Sequence, residues 1–347
     1  MLSARSVVRA LLVLVLAVGL VALFLANVDL AAVAHAIVHA SWWWIAVAVA
    51  TMPLNLALRA WRWQLLLQPV GRPPFWLAFR ATAVGFAAST VLPARAGEVI
   101  RPYFLSRQHS VSATGAFATV IIERVLDVAA VLALLAIYVL AVPAPPGAEA
   151  HPLALATITW AGVSAAVVAF GALIVMAVVA SRPDQITTLL GRVEQRLPSR
   201  LAGLLEGIAE KFVRGLGVVR HPSLFLLAVA ASIPLWLSIA AGTYAVSQAF
   251  GLPVPFTGTW LVVAVLVVGV AVPTPGAVGG FHAAYRYAAT TFFAAPDGAA
   301  VGAAIVLHLI SVGPTLVLGL LFAAHEGLNV AAMRQMAEAS ETQGRDA

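Results

Sequence analysis

Residues 75–98 read FWLAFRATAVGFAASTVLPARAGE: an apolar run, Phe75–Leu92, that stops at Pro93 and gives way to a turn carrying Arg95, Gly97 and Glu98. A second run of this kind, Phe256–Val272, stops at Pro273-Thr274-Pro275-Gly276-Ala277-Val278-Gly279-Gly280. About 20 apolar residues are needed for a helix to cross the hydrocarbon of a bilayer. Both runs fall short of that, and whether they cross decides the fold.

Six other apolar runs surround them, at about Val7–Ala26, Trp42–Leu58, Val120–Val142, Leu153–Ala180, Leu224–Phe250 and Ala299–His325. The chain is 62% apolar and 10% charged, with a mean hydropathy of +0.99. Soluble domains are nearer half apolar and a quarter charged. The excess is concentrated in the runs, which marks a polytopic membrane protein. The run at Val7–Ala26 lacks a clean small-x-small cleavage site and reads as a retained anchor; a signal peptide is the alternative.

Cysteine is absent, which excludes disulfides, thiolate zinc sites and thiol nucleophiles. The basic balance, pI about 10.5, does not point to nucleic acid. The Arg residues flank apolar runs, as topology and contact with anionic headgroups require. Trp42, Trp43 and Trp44 open the second run as an interfacial belt, and Arg59, Arg62 and Trp63 close it at the opposite interface.

Charge placement counts the spans. If all eight runs cross, Ser181–Pro222, with seven Arg and Lys, shares a side with the basic 93–112 segment but opposes Arg5 and Arg9. That violates the positive-inside rule. If Phe75–Leu92 and Phe256–Val272 instead enter and leave on one side, the basic segments gather on the cytoplasmic face. The loops Asn27–Ser41, Pro143–Pro152 and Gly251–Pro255, free of Arg and Lys, then lie outside, with Arg286 the outer exception. The expected fold is all-α, with six full transmembrane helices and two re-entrant segments. Residues 1–330 form one membrane domain, with an amphipathic segment at 181–222 lying on the membrane surface, and residues 331–347 form a flexible tail. The expected location is the cell (inner) membrane, with both termini cytoplasmic.

Pro93 and Pro273 are 180 residues apart, and the same shift carries the second and fourth runs onto the sixth and eighth. Two inverted copies of span, re-entrant segment, break, span are therefore expected, the usual construction of secondary transporters. Coincident apolar runs are the alternative, since residue identity between the copies is slight. A broken helix in a membrane leaves backbone groups that must be buried in protein or line a wet cavity. Ordinary interfacial loops are the plainer reading of either break alone.

Charged residues favour the cavity. Arg95, Glu98 and Arg101 are spaced i, i+3, i+6 on a helix expected to begin at Pro93. Glu123, Arg124 and Asp127 open the next span. Ionised groups near hydrocarbon face inward and pair, so Arg95 or Arg101 should meet Glu123 or Asp127. Such a cluster braces the re-entrant loop, holds an anionic headgroup through bidentate guanidinium contacts, or does both. At the second break the candidates are Pro273, Pro275, Gly276, Gly279, Gly280, His282 and Arg286, with Tyr285 and His308 nearby. His35 and His39 read as surface residues, not metal ligands. No P-loop, GxGxxG after a strand, GxSxG or HExxH occurs. Neither a metal nor a cofactor is implied.

In Arg59-Ala60-Trp61-Arg62-Trp63, Leu92-Pro93-Ala94-Arg95-Ala96-Gly97-Glu98-Val99-Ile100-Arg101, Glu123-Arg124-Val125-Leu126-Asp127 and Pro273-Thr274-Pro275-Gly276-Ala277-Val278-Gly279-Gly280-Phe281, the chain resembles the flippase-like transmembrane region of lysylphosphatidylglycerol synthases, across about residues 7–325. The resemblance implies a lipid-translocating membrane domain and not an enzyme. It implies a lipid partner with an anionic or phosphate-containing headgroup, and stand-alone relatives imply a membrane-bound lipid-modifying enzyme as a second partner. The sequence ends at Ala347, so the aminoacyl-transferring domain of the two-domain relatives is expected to be missing. Two other functions remain: an accessory scaffold for a glycosyltransferase or lipid-modifying enzyme, and a membrane-embedded transferase using Glu123 or His308 as base.

Overall fold

A computed structural model describes residues 29–92, 96–145, 147, 152–181, 216–271 and 277–326. The Val7–Ala26 run, most of the amphipathic segment and the 331–347 tail lie outside these residues. So do Pro93, Arg95, Pro273, Pro275 and Gly276.

The described residues form ten α-helices and no strands. They are α1 (Leu30–Val38), α2 (Trp42–Leu67), α3 (Phe75–Val91), α4 (Gly97–Gln108), α5 (Ala113–Ala141), α6 (Pro152–Ser181), α7 (Pro222–Ala249), α8 (Gly258–Val270), α9 (Gly280–Phe293) and α10 (Asp297–His325). Helix starts follow local chemistry. The Asp29 carboxylate accepts from the Ala31 and Ala32 N–H groups at the head of α1, and the Ser112 hydroxyl accepts from the Gly115 N–H at the head of α5.

Helices α2, α7 and α10 are long and apolar enough to cross a membrane. Helices α3 and α8, at 17 and 13 residues, are apolar but short. The outside is greasy: Trp42, Leu140, Leu153, Trp160 and Val268 are each at least 70% exposed, whereas Arg62 and Glu123 are 0% exposed. A soluble protein inverts that order, since charge is rarely buried and large apolar patches are rarely left in water.

One sequence expectation is corrected. Helix α2 does not end at Leu58 with Arg59, Arg62 and Trp63 at an interface; it continues to Leu67 and buries Arg62 and Trp63 completely. Carboxylates from α5, not headgroups, neutralise these cations. Helix α4 is described from Gly97 and carries Glu98 and Arg101 of the expected row; Pro93 and Arg95 lie outside the described residues.

Two stretches of the chain share helix order and packing. Helices α2, α3, α4 and α5 start 180, 183, 183 and 184 residues before α7, α8, α9 and α10. Each packing pair has its counterpart: α3·α4 with α8·α9, α4·α5 with α9·α10, α2·α3 with α7·α8, α3·α10 with α8·α5, α2·α5 with α7·α10, and α2·α10 with α7·α5. Helices α2 and α7 pack on each other antiparallel: Thr51 faces Gly242, Asn55 faces Ser238, and Arg62 faces Ser232. Asn55 also donates to the carbonyl of Leu235, the residue 180 positions on.

The hairpins share a close crossing. A Cβ on Gly97 would sit 1.7 Å from the Gly85 carbonyl oxygen, and a Cβ on Gly269 would sit 2.5 Å from the Gly280 carbonyl oxygen. Only glycine lets the α3/α4 and α8/α9 backbones approach so closely. Beside the first crossing stands Arg101; beside the second, Ala284.

Candidate functional site

Asn55, Arg59 and Arg62 lie at i, i+4 and i+7 on α2 and share one face of it. That face meets α5, where Glu123 and Asp127 are likewise four apart. Arg62 sits at the centre. Its Nη2 donates to Asp127 Oδ1 at 2.7 Å and lies 3.4 Å from Glu123 Oε1, and its Nη1 donates to Ser232 Oγ at 2.9 Å. The Trp236 indole N–H also donates to Asp127 Oδ1, at 3.1 Å. Arg59 lies 3.7 Å from Asp127 Oδ2, and its Nε donates to Asn55 Oδ1 at 3.1 Å. Asn55 in turn donates to Ser238 Oγ and the Leu235 carbonyl of α7, which holds this face against the second copy.

Helix α4 supplies Arg101, whose Nη1 donates to Glu123 Oε2 at 2.9 Å, the kind of pairing the sequence suggested. Its guanidinium carbon lies 3.7 Å from the centre of the Trp63 ring, a close cation–π stack. Trp63 is fixed by its N–H, which donates to Thr119 Oγ1 at 2.9 Å. Arg124 is about a third exposed and lies 3.3 Å from Glu123, 3.4 Å from Asp127 and 3.9 Å from Glu98.

Charge does not balance here. Arg59, Arg62, Arg101 and Arg124 face Glu98, Glu123 and Asp127, leaving one positive charge in excess. Dropping the partly exposed Glu98 and Arg124 leaves the same excess. Several buried donors have no hydrogen-bond partner among the described residues: Arg101 Nε and Nη2, Arg62 Nε and Arg59 Nη1. Nε and Nη2 of Arg101 form one edge of its guanidinium, two parallel N–H groups that fit two oxygens of a single oxyanion. Unsatisfied buried donors are costly, the more so when charged.

The second break has a different chemistry. Gly279 has φ +90°, a conformation open to glycine, and precedes α9. Its N–H donates to His282 Nδ1 at 3.3 Å. The His282 ring meets the His308 ring of α10 edge-on at 4.6 Å, and Phe281 lies over His308 at 5.0 Å. Tyr285 shares a hydrogen bond with Ser247. Gly280 serves the hairpin crossing. Arg286 binds Asp297 bidentately, Nε to Oδ1 at 2.6 Å and Nη2 to Oδ2 at 2.9 Å, in a partly exposed place.

The structure thus gathers Glu98, Arg101, Glu123, Arg124 and Asp127 into one cluster, and Gly279, Gly280 and His282 around a second. Arg286 belongs to a separate pair. Sequence reasoning did not count Arg59, Arg62, Asn55, Trp63, Ser232 and Trp236 among the site residues. The available signal was the shared helical face of Asn55, Arg59 and Arg62, facing a span with two acids four apart.

The model of the lysylphosphatidylglycerol synthase transmembrane region matches residues 10–319. A glycosyltransferase of Haloferax volcanii, AglD, is 24% identical over 365 aligned residues, covering 98% of this chain. The chain spans 57% of that relative's length. The match, the greasy exterior and the spanning helices make this a membrane protein, and the chain belongs to the lysylphosphatidylglycerol synthase transmembrane-region family.

Proposed function

We propose that the chain translocates a lipid between leaflets, its anionic headgroup passing through the protein while the acyl tails remain in the bilayer. The carrying observation is the buried cluster with one excess positive charge and an open donor edge on Arg101. A monoanionic phosphate group supplies both the missing charge and the missing acceptors. Glu123 and Asp127 hold the Arg side chains in place, so the site is organised before the lipid arrives. Arg95 adjoins this cluster in sequence, as Pro273, Pro275 and Gly276 adjoin Gly279 and Gly280 of the second break.

In this reading residues 1–330 form a single domain of six spans and two re-entrant segments, α3/α4 and α8/α9, dipping in from opposite faces. The short α3 and α8, and the antiparallel packing of α2 on α7, support it. The protein sits in the inner membrane with cytoplasmic termini and performs no catalytic step. The test is reconstitution into liposomes carrying labelled anionic phospholipids or lipid-linked phosphates. Transbilayer movement above that in empty vesicles is expected, and its absence for every such lipid overturns the reading.

The name and greater length of the AglD relative favour one second reading, an accessory subunit of a membrane glycosyltransferase. Glu123 or Arg95 substitutions separate the two. A translocator loses lipid movement while keeping its partner; a folded scaffold tolerates both changes.

A further inference from the structure

Arg59, Arg62 and Arg101 are buried together with only Glu123 and Asp127 between them. The hydrogen bonds locate the surplus charge. Arg62 Nη2 donates to Asp127 Oδ1 at 2.7 Å, and Arg101 Nη1 donates to Glu123 Oε2 at 2.9 Å. Beside them Arg124 and Glu98, both about a third exposed, face each other at 3.9 Å. Among the described residues Arg59 donates to no carboxylate. Its Nε donates to the neutral Asn55 Oδ1, and its Nη1, 3.7 Å from Asp127 Oδ2, has no acceptor. Asp127 is already engaged, its Oδ1 shared by Arg62 and the Trp236 indole.

An unmatched guanidinium inside a greasy protein is costly. Packing does not call for that charge. A glutamine at this place could still donate to Asn55 one turn back, and it would bring the cluster to neutrality. The side chain is nevertheless held in a set direction. Its guanidinium carbon lies 5.2 Å from the centre of the Phe86 ring of α3, and Asn55 fixes its Nε. Asn55 is tied in turn to the Leu235 carbonyl and Ser238 of α7. The Nη end is what remains for a ligand. Of these arginine side chains, Arg59 is also the most open, 12% exposed against 0% for Arg62 and 5% for Arg101.

We propose that Arg59 is the anion-binding residue that neutralises the charge of an incoming oxyanion. Arg101 divides the work with it. Its charge is already answered by Glu123, so its open edge offers directed hydrogen bonds and Arg59 supplies the preference for net negative charge. That the oxyanion belongs to a lipid in transit rests on the translocation reading; the anion site does not.

The experiment is thermal unfolding of the full chain in phosphate-free detergent, titrated with dihexanoyl-phosphatidylglycerol, dihexanoylglycerol or inorganic phosphate. A ligand that binds only the folded state raises the unfolding temperature, which yields its Kd. Dihexanoyl-phosphatidylglycerol should protect the wild type, inorganic phosphate less, and dihexanoylglycerol, with the same tails and no charge, not at all. Without ligand, Arg59→Gln should melt within about 3 °C of the wild type or above it, since only an unmatched charge is removed. Its Kd for dihexanoyl-phosphatidylglycerol should rise roughly ten- to hundredfold, as for a lost hydrogen bond to a charged group. Arg59→Lys keeps the charge and should lose less than Arg59→Gln.

A larger fall in the unliganded Arg59→Gln makes Arg59 a structural partner of Asp127 and overturns the assignment. So does an unchanged Kd in that variant, or a lysine variant as weak as the glutamine one. A wild type indifferent to both anions removes the site. Protection by phosphate but not by dihexanoyl-phosphatidylglycerol, or equally by dihexanoylglycerol, overturns the lipid headgroup as its occupant. None of these outcomes needs a lipid to cross the bilayer, so failure of the anion site and failure of translocation are distinguishable.

Discussion

The first copy, α2 to α5, and the second, α7 to α10, share helix order, packing partners and a glycine-on-glycine hairpin crossing, yet hold opposite chemistry. The first carries Arg59, Arg62, Glu98, Arg101, Glu123, Arg124 and Asp127 in one network. The second carries no Lys, Arg, Asp or Glu in α7 or α8, and its two charges, Arg286 and Asp297, bind each other near the surface. Where Arg101 flanks one crossing, Ala284 flanks the other. The scaffold is therefore satisfied without ions. The ions of the first copy answer another demand, for burying a charged group inside a greasy exterior costs energy that a structural role alone does not require.

The strongest way to break this comparison is to remove one ion of the buried network. Glu123→Ala leaves Arg62 and Arg101 facing each other's charge without their shared acceptor. Losing one member of a buried pair costs about 3–5 kcal/mol. Thermal unfolding in detergent should show the largest fall among single substitutions in either copy. A change under about 1 kcal/mol would mean the network is hydrated and the contrast with the second copy false.

Arg101→Lys sharpens the comparison next. The charge stays and can still reach Glu123, but the Nε/Nη2 edge and the planar stack on Trp63 disappear. Folding should survive. Translocation of an anionic lipid should fall roughly ten- to hundredfold, as for a lost hydrogen bond to a charged group. Initial rates in proteoliposomes at matched protein content measure it. A scaffold would show no loss.

Parts of this were legible beforehand because they depend on local chemistry. The 180-residue spacing of Pro93 and Pro273 is close to the offset between the matching helices, and helix breakers located the ends of α3 and α8 within a few residues. A pairing of Arg95 or Arg101 with Glu123 or Asp127 was legible because the two clusters are near neighbours in sequence and were expected on one side of the membrane; Arg101 with Glu123 is the pair made. Arg62 was not. A cation closing an apolar run ordinarily marks an interface, and the carboxylates of another helix, Asp127, 65 residues away, and Glu123, make its burial tolerable. The pairing of His282 with His308 was hidden for the same reason: it is made by α9 folding back onto α10, and neither residue carries a local signal of the other.

The shared scaffold can be tested apart from the chemistry. Gly97→Ala and Gly269→Ala insert the same methyl into corresponding crossings, the first 1.7 Å and the second 2.5 Å from a backbone oxygen. Overpacking of this kind costs about 1–3 kcal/mol. Both should destabilise, Gly97→Ala more, as read by unfolding in detergent. A silent Gly269→Ala would mean the second hairpin is loosely packed and the two copies only superficially alike.

The smallest effect is expected where the second copy does hold charge. Asp297 is about half exposed and its pair with Arg286, though bidentate, lies where water can replace either partner. Exposed pairs contribute about 0–1 kcal/mol, and salt weakens them further. Asp297→Ala should therefore lower stability by less than about 1 kcal/mol, with a difference that shrinks as salt rises, and should leave the rate of lipid movement near that of the wild type. The salt series separates this from Glu123→Ala, whose loss, buried away from ions, should be unchanged by salt. If Asp297→Ala proved as damaging as Glu123→Ala, charge would be essential to both copies. The excess positive charge beside Arg101 would then have no special claim to bind a headgroup.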